Sequence, residues 1–254
     1  MGAFIGFLDN KEIYDHNNIL KSVTGSICNG ESSFREIYTD KNIFLGFKGS
    51  NIIWTEDHNY YLLFNGEIYN HVELREKLAH RGLVLESDSK EDLILALYNY
   101  EGKDFVKSVR GVFVFILWDK QNKTLFCARD PFGVKSFYYM ETEKGFYFAS
   151  EIKSLSYSHD IKTQEVNLIS LQDYLAYQYV PEPNTILKNI YILEPGCTIE
   201  KKFGEEGTIS IGRYWSIQFN PVKKNAYEKV QEIRQALRGS VEDRMKGDAP
   251  IGSF

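Results

Sequence analysis

Short apolar runs and period-two alternations recur along most of the chain, and each predicts a strand. They lie at Ala3 to Leu8, Ile43 to Phe47, Tyr60 to Phe64, Val112 to Trp118, Thr124 to Ala128 and Gly145 to Ala149. The last three read as a meander, broken at Asp119-Lys120-Gln121-Asn122 and at Glu141 to Lys144. Helical spacing interrupts the strands. His71 to Arg81 sets Val72, Leu74 and Leu78 on one side; Lys90 to Tyr100 groups Leu93, Ile94, Leu97 and Tyr98; Asn167 to Tyr179 groups Leu168, Leu171, Tyr174 and Leu175. Hairpin-linked strands with helices between them, without regular βαβ units, predict an α+β fold of two antiparallel sheets covered by helices.

Punctuation then divides the chain. Val180-Pro181-Glu182-Pro183-Asn184 predicts a rigid loop, Glu194-Pro195-Gly196 a turn with a strand beginning at Cys197, and Phe203 to Gly212 a hairpin tip. Beyond Tyr214-Trp215 the character changes. Ala226 to Met245 predicts a long amphipathic helix with Val230, Ile233, Leu237 and Val241 on one face, and Ala249 to Phe254 predicts an apolar strand. The expected organisation is a main domain over residues 1–215, followed by a linker, a helix and the first strand of an incomplete second domain over 216–254.

A chain of 254 residues with seventeen Phe and seventeen Tyr has ample volume for a well-packed core. A net charge of -5 gives no support to a nucleic-acid partner, and pairs such as Lys201-Lys202 read as solvated surface. Three widely spaced cysteines (Cys28, Cys127, Cys197) and five histidines without ligand spacing predict neither a disulfide framework nor a metal site. A structural, buried role is the reading for Cys127; Cys28 is the cysteine whose surroundings merit a catalytic test. No membrane-spanning run occurs and no signal-peptide pattern is found, so a cytoplasmic location is expected.

Four segments carry chemistry-bearing residues in a fixed order. They are Phe64-Asn65-Gly66-Glu67-Ile68-Tyr69-Asn70, Gly111 to Asp119, Ala128-Arg129-Asp130-Pro131-Phe132-Gly133-Val134-Lys135, and Phe148-Ala149-Ser150-Glu151-Ile152-Lys153-Ser154-Leu155. Val180-Pro181-Glu182-Pro183 and Leu193-Glu194-Pro195-Gly196 extend the series. Together they resemble the N-terminal amidotransferase domain of the glutamine-dependent asparagine synthetases. The resemblance implies a class II glutamine amidotransferase domain with the four-layer αββα sandwich of N-terminal-nucleophile hydrolases. It implies that a cysteine at position 2 attacks the glutamine amide, that Asn65 and the Gly66 N–H form the oxyanion hole, and that Glu67 holds the substrate amine. Read without the resemblance, Asn65 and Gly66 fit a tight strand-to-helix turn.

The chain departs from this pattern at the glutamine site. Position 2 is Gly2, which offers no nucleophilic atom. Ile27-Cys28-Asn29-Gly30-Glu31-Ser32 stands where the resemblance implies His-Arg-Gly-Pro-Asp, and Gly49 stands at the position of the carboxylate-clamping arginine, with Lys48 one residue away. Ser89-Lys90-Glu91-Asp92 matches a Ser-Asp-Thr-Glu turn, so Lys90 replaces the aspartate that would receive the substrate ammonium; a shifted match would use Ser87-Asp88. The expected function is an asparagine-synthetase-like protein whose amidotransferase domain is inactive, with Asn65, Gly66 and Glu67 vestigial and Gly49 and Lys90 at degraded binding positions. It would serve as scaffold or partner of an ATP-dependent, amide-forming half, as in similar synthetases that close β-lactams or lasso peptides. ATP and Mg are expected only in that half, whose Gly-rich turn would follow residue 254, and no cofactor is expected in this chain. The partner would be the synthetase domain, or a second copy, bound through residues 226–254. The alternatives are an active glutaminase that supplies ammonia for asparagine synthesis, and a non-enzymatic small-ligand or protein-binding module.

Overall fold

The computed structural model describes residues 3–9, 36–48, 52–55, 57–85, 87–156, 165–204 and 209–245. Gly2, Cys28, Gly49, His16, His159 and the strand expected at Ala249 to Phe254 lie outside them.

Two six-stranded sheets form the body, and every pairing is antiparallel. Their strands are β1 (Ala3–Asp9), β2 (Glu36–Thr39), β3 (Ile43–Lys48), β4 (Ile53–Trp54), β5 (Tyr60–Ile68), β6 (Gly111–Asp119), β7 (Thr124–Arg129), β8 (Tyr138–Glu141), β9 (Gly145–Ala149), β10 (Tyr191–Ile192), β11 (Cys197–Lys202) and β12 (Ser210–Arg213). One sheet runs β10-β8-β9-β1-β3-β2 and the other β12-β11-β7-β6-β5-β4. The helices are α1 (His71–Ala79), α2 (Lys90–Glu101), α3 (Ile152–Ser156), α4 (Leu168–Tyr177) and α5 (Ala226–Arg244).

Alternation along the strands builds the layers. Phe4, Leu8, Leu45 and Phe47 of the first sheet meet Leu63, Val114, Ile116 and Trp118 of the second in the inter-sheet core. The opposite face of the second sheet presents Phe64, Phe113 and Phe115 to Leu74 and Leu78 of α1 and Leu93 and Leu97 of α2. On the outer face of the first sheet, Ile5, Phe7 and Phe44 pack with Leu155 of α3 and with Ile190. The result is the αββα sandwich.

Three expectations change. β9 does not continue the β6–β7 hairpin: it pairs with β1 and β8 in the other sheet, because residues 130–137 cross between the layers. Val72 is exposed although Leu74 and Leu78 are buried, so α1 contacts the sheet along a narrower stripe than its periodicity suggests. Lys201 is buried rather than solvated; its ammonium lies 2.9 Å from the Glu141 carboxylate, joining β11 of one sheet to β8 of the other. The apolar positions of α4 and α5 are also exposed, among them Leu168, Tyr174 and Leu175, and Val230, Ile233, Leu237 and Val241. No helix among the described residues is long and apolar enough to cross a membrane.

Candidate functional site

Asn65, Gly66 and Glu67 lie inside β5, not in a turn: Asn65 faces Val114, Gly66 faces Phe113 and Glu67 faces Val112 across the ladder. Gly66 is there because the two strands approach closely. A methyl group on it would overlap the Val112 carbonyl oxygen and come within 2.6 Å of the Phe113 Cα. Gly111, opposite Ile68, is pressed in the same way against the Glu67 carbonyl. Asn70 ends the segment with its side chain buried: its amide donates to Ser108 O at 2.9 Å and its oxygen accepts from Arg110 N at 2.8 Å. Packing and backbone hydrogen bonding therefore account for Gly66 and Asn70. Glu67 differs, since its side chain is largely exposed.

The partner of Glu67 is Lys90, whose ammonium contacts its carboxylate. Lys90 is the first residue of α2. Ser89 caps that helix by accepting from Asp92 N at 3.1 Å, which accounts for Ser89 and Asp92 as a helix start. Arg75 of α1 donates to Ser87 O and Ser89 O, both at 2.6 Å, and so ties the approach to α2 onto the preceding helix. Arg75 carried no motif in the sequence, and its role depends on a contact twelve to fourteen residues away.

Three of the other segments, at residues 128–135, 180–183 and 193–196, meet around Arg129 and Asp130. Arg129 is buried; it donates to Lys135 O (2.7 Å), Gly133 O (2.7 Å) and the Leu193 carbonyl, and pairs with Glu182 at 3.0 Å. Asp130, fully buried, accepts from Phe132 N, Val134 N and Lys135 N at 3.0–3.2 Å. Gly196 donates its N–H to Asp130 O, and its own carbonyl accepts from Tyr214 N and Trp215 N. The Tyr214 hydroxyl donates to Arg129 O at 2.8 Å, and burial pushes its pKa well up, so it stays a neutral donor. Ser150, in the fourth segment, brackets β1: its hydroxyl accepts from Phe4 N and its N–H donates to Phe4 O, both at 3.0 Å. These motifs hold the turns between the sheets and the start of β1.

The remaining sequence candidates separate from this region or stay inert. Lys48 ends β3 opposite Ala3, in the sheet that does not contain β5. Cys127 and Cys197 are both buried, and burial pushes both thiols up, which leaves them protonated and poorly nucleophilic.

A two-sheet sandwich whose β5 carries Asn-Gly-Glu beside the start of α2 fits an amidotransferase scaffold, and the sequence match agrees. The chain belongs to the glutamine amidotransferase domain family, whose model matches residues 4–215. It is 33% identical over 267 residues to asparagine synthetase [glutamine-hydrolyzing] 1 of Bacillus subtilis (strain 168), covering 100% of this chain and 42% of that protein. It is 37% identical over 201 residues to a putative asparagine synthetase [glutamine-hydrolyzing] of Mycobacterium tuberculosis (strain ATCC 25618 / H37Rv), covering 77% of this chain and 31% of that protein. The chain thus spans well under half the length of these relatives. Among solved structures, a glutamine phosphoribosylpyrophosphate amidotransferase from B. subtilis aligns with 86% of the chain at 15% identity and a TM-score of 0.49.

Proposed function

We propose that this is an asparagine-synthetase-like amidotransferase domain without glutaminase activity, acting as a scaffold for an ATP-dependent, amide-forming half. The observation that carries the reading is Gly2. Acyl transfer by this family's chemistry needs a thiolate at that position, and glycine supplies no atom to attack the amide or to carry the acyl group. The Lys90–Glu67 pair supports it: the carboxylate that would receive a substrate amine already holds an intramolecular ammonium. Asn65 and Gly66 then persist as parts of the β5–β6 ladder, and Gly49 leaves the carboxylate of glutamine without its clamp.

Residues 1–215 form the amidotransferase-like unit in this reading, and residues 216–254 lead into the synthetase half. ATP and Mg chemistry belongs to that half, and no residue of this chain is assigned to it. The exposed stripe Val230, Ile233, Leu237 and Val241 on α5 is the surface on which the half, or a second copy, would dock.

The test is ammonia release from L-glutamine by the purified chain. The expected result is a rate equal to the uncatalysed background, unchanged by Asn65→Ala. Release above background that disappears in Asn65→Ala would overturn the proposal.

A further inference from the structure

Three aromatic rings meet where β2, β4 and β5 bring the edges of the two sheets together. Tyr38 comes from β2, an edge strand of the first sheet, and Tyr61 from β5 of the second. Their rings stack with centroids 3.7 Å apart and planes 23° from parallel, which is van der Waals contact across the inter-sheet gap. Trp54 of β4 is the register partner of Tyr61, and its ring centroid lies 6.4 Å from the Tyr61 ring. Tyr61 is buried and Tyr38 half-buried, whereas Trp54 is half exposed.

Other tyrosine pairs in the chain meet differently. Tyr139 and Tyr191 are tilted at 5.7 Å, Tyr177 and Tyr179 are tilted at 6.2 Å, and Tyr60 meets Tyr98 edge to face. Of these pairs only Tyr38 and Tyr61 lie face to face at contact distance. The Tyr38 hydroxyl also has a proton acceptor, since it donates to Asp40 Oδ2 at 3.3 Å. The Tyr61 hydroxyl interacts with it as well, which places both oxygens at the same end of the stack, with the ring carbons beside them facing each other. Burial and the Asp40 carboxylate push the Tyr38 pKa well up, so the phenol keeps its proton at neutral pH and must pass it on when it is oxidised.

We propose that Tyr38 and Tyr61 are a site of oxidative modification, closing into a dityrosine that staples the two sheets when a one-electron oxidant withdraws electrons through Trp54. Two oxidising equivalents are consumed. Each phenol gives up one electron and its hydroxyl proton, the Tyr38 proton passing to Asp40 and on to water. The two radicals join through one Cε of each ring. The hydrogen on each of those carbons then moves to the neighbouring oxygen and restores both phenols. The net change is one carbon–carbon bond gained and two hydrogens lost. Every residue involved lies in the two-sheet body, and the step is independent of whether glutamine is hydrolysed.

The test is visible-light oxidation of the whole chain with tris(bipyridine)ruthenium(II) and persulfate, followed by digestion and mass spectrometry. The expected product is a single chain lighter by two hydrogens, with dityrosine fluorescence and with the Tyr38 peptide joined to the Tyr61 peptide. Tyr38→Phe and Tyr61→Phe should each abolish the joined peptide, whereas Tyr179→Phe should leave it unchanged. Trp54→Phe should slow its formation severalfold, because a phenylalanine ring is too hard to oxidise to relay the electron. Each variant keeps a ring at its position, and a circular dichroism melt checks that it folds. A link at the more exposed Tyr177–Tyr179 pair ahead of Tyr38–Tyr61, links only between separate chains, or an undiminished rate in Trp54→Phe would each overturn the proposal.

Discussion

Adding one methyl group to Gly66 would drive it into the Val112 carbonyl and toward the Phe113 Cα, so the ladder between β5 and β6 would have to open. Overpacking of this kind costs about 1–3 kcal/mol. Gly66→Ala should therefore lower the unfolding free energy in urea by that amount; a value within error of wild type would refute the packing account. Lys90 and Glu67 make the opposite case. Their pair is exposed, and such pairs contribute about 0.2–1 kcal/mol. Lys90→Ala and Glu67→Ala should each leave stability nearly unchanged, and a double-mutant cycle should give a coupling of about 0.5 kcal/mol that falls with added salt. A coupling above about 2 kcal/mol would show a desolvated pair instead. At this scale the sequence named Asn65, Gly66, Glu67 and Lys90 but not the pairing of the last two. Glu67 and Lys90 are 23 residues apart, and only the packing of α2 against the second sheet brings them together. Neither Arg75 nor Asn70 could be assigned a partner, because each bonds main-chain groups distant in sequence.

The elements show where hydrophobic patterning carries information and where it stops. β1, β3, β5, β6 and β7 fill whole apolar runs, so Phe4, Leu45, Leu63 and Val114 could be read as core from their neighbours. β4 and β10 are two residues each, and β2 lies at a sheet edge with alternating half-exposed positions, so none carries enough period to be read. The assignment of β9 to the wrong hairpin has the same origin: alternation gives a face, and the choice of sheet is made by the turn at residues 130–137, ahead of β8. That turn depends on Arg129, whose guanidinium serves three carbonyls and Glu182 from a buried position. Arg129→Met keeps the apolar stem and removes every one of those donors. With buried acceptors left unpaired at about 1–3 kcal/mol each, the variant should lose at least about 3 kcal/mol in chemical denaturation. A loss below about 1 kcal/mol would mean that water replaces the guanidinium and that other contacts hold the crossing between sheets.

At the scale of the whole molecule, the body and its periphery follow different rules. The three packed clusters close on themselves, whereas α4 and α5 carry helical apolar stripes that the described body leaves in solvent. Periodicity foretold those helices correctly and could not foretell their exposure, because the same stripe serves a core or a docking face. The closed part has its own pH signature. Burial pushes Tyr139 up from its ordinary value of 10 to about 12, with the neighbouring Tyr191 and Glu194 adding to the rise. Burial also raises Tyr38, Tyr60, Tyr98 and Tyr214, so the effect is shared between both sheets. A raised phenol binds its proton more tightly in the folded chain than in the unfolded one. The corresponding stability is complete below the unfolded value near 10 and is lost as the pH rises through the folded values. Alkaline unfolding should therefore begin near pH 10 and be steep by pH 12, with tyrosinate absorbance appearing together with loss of the far-ultraviolet circular dichroism. Tyr139→Phe should make the decline shallower by removing one titrating group. If tyrosinate forms fully near pH 10 while the dichroism stays native, these rings are hydrated in solution and Tyr139 does not belong to the buried inter-sheet core.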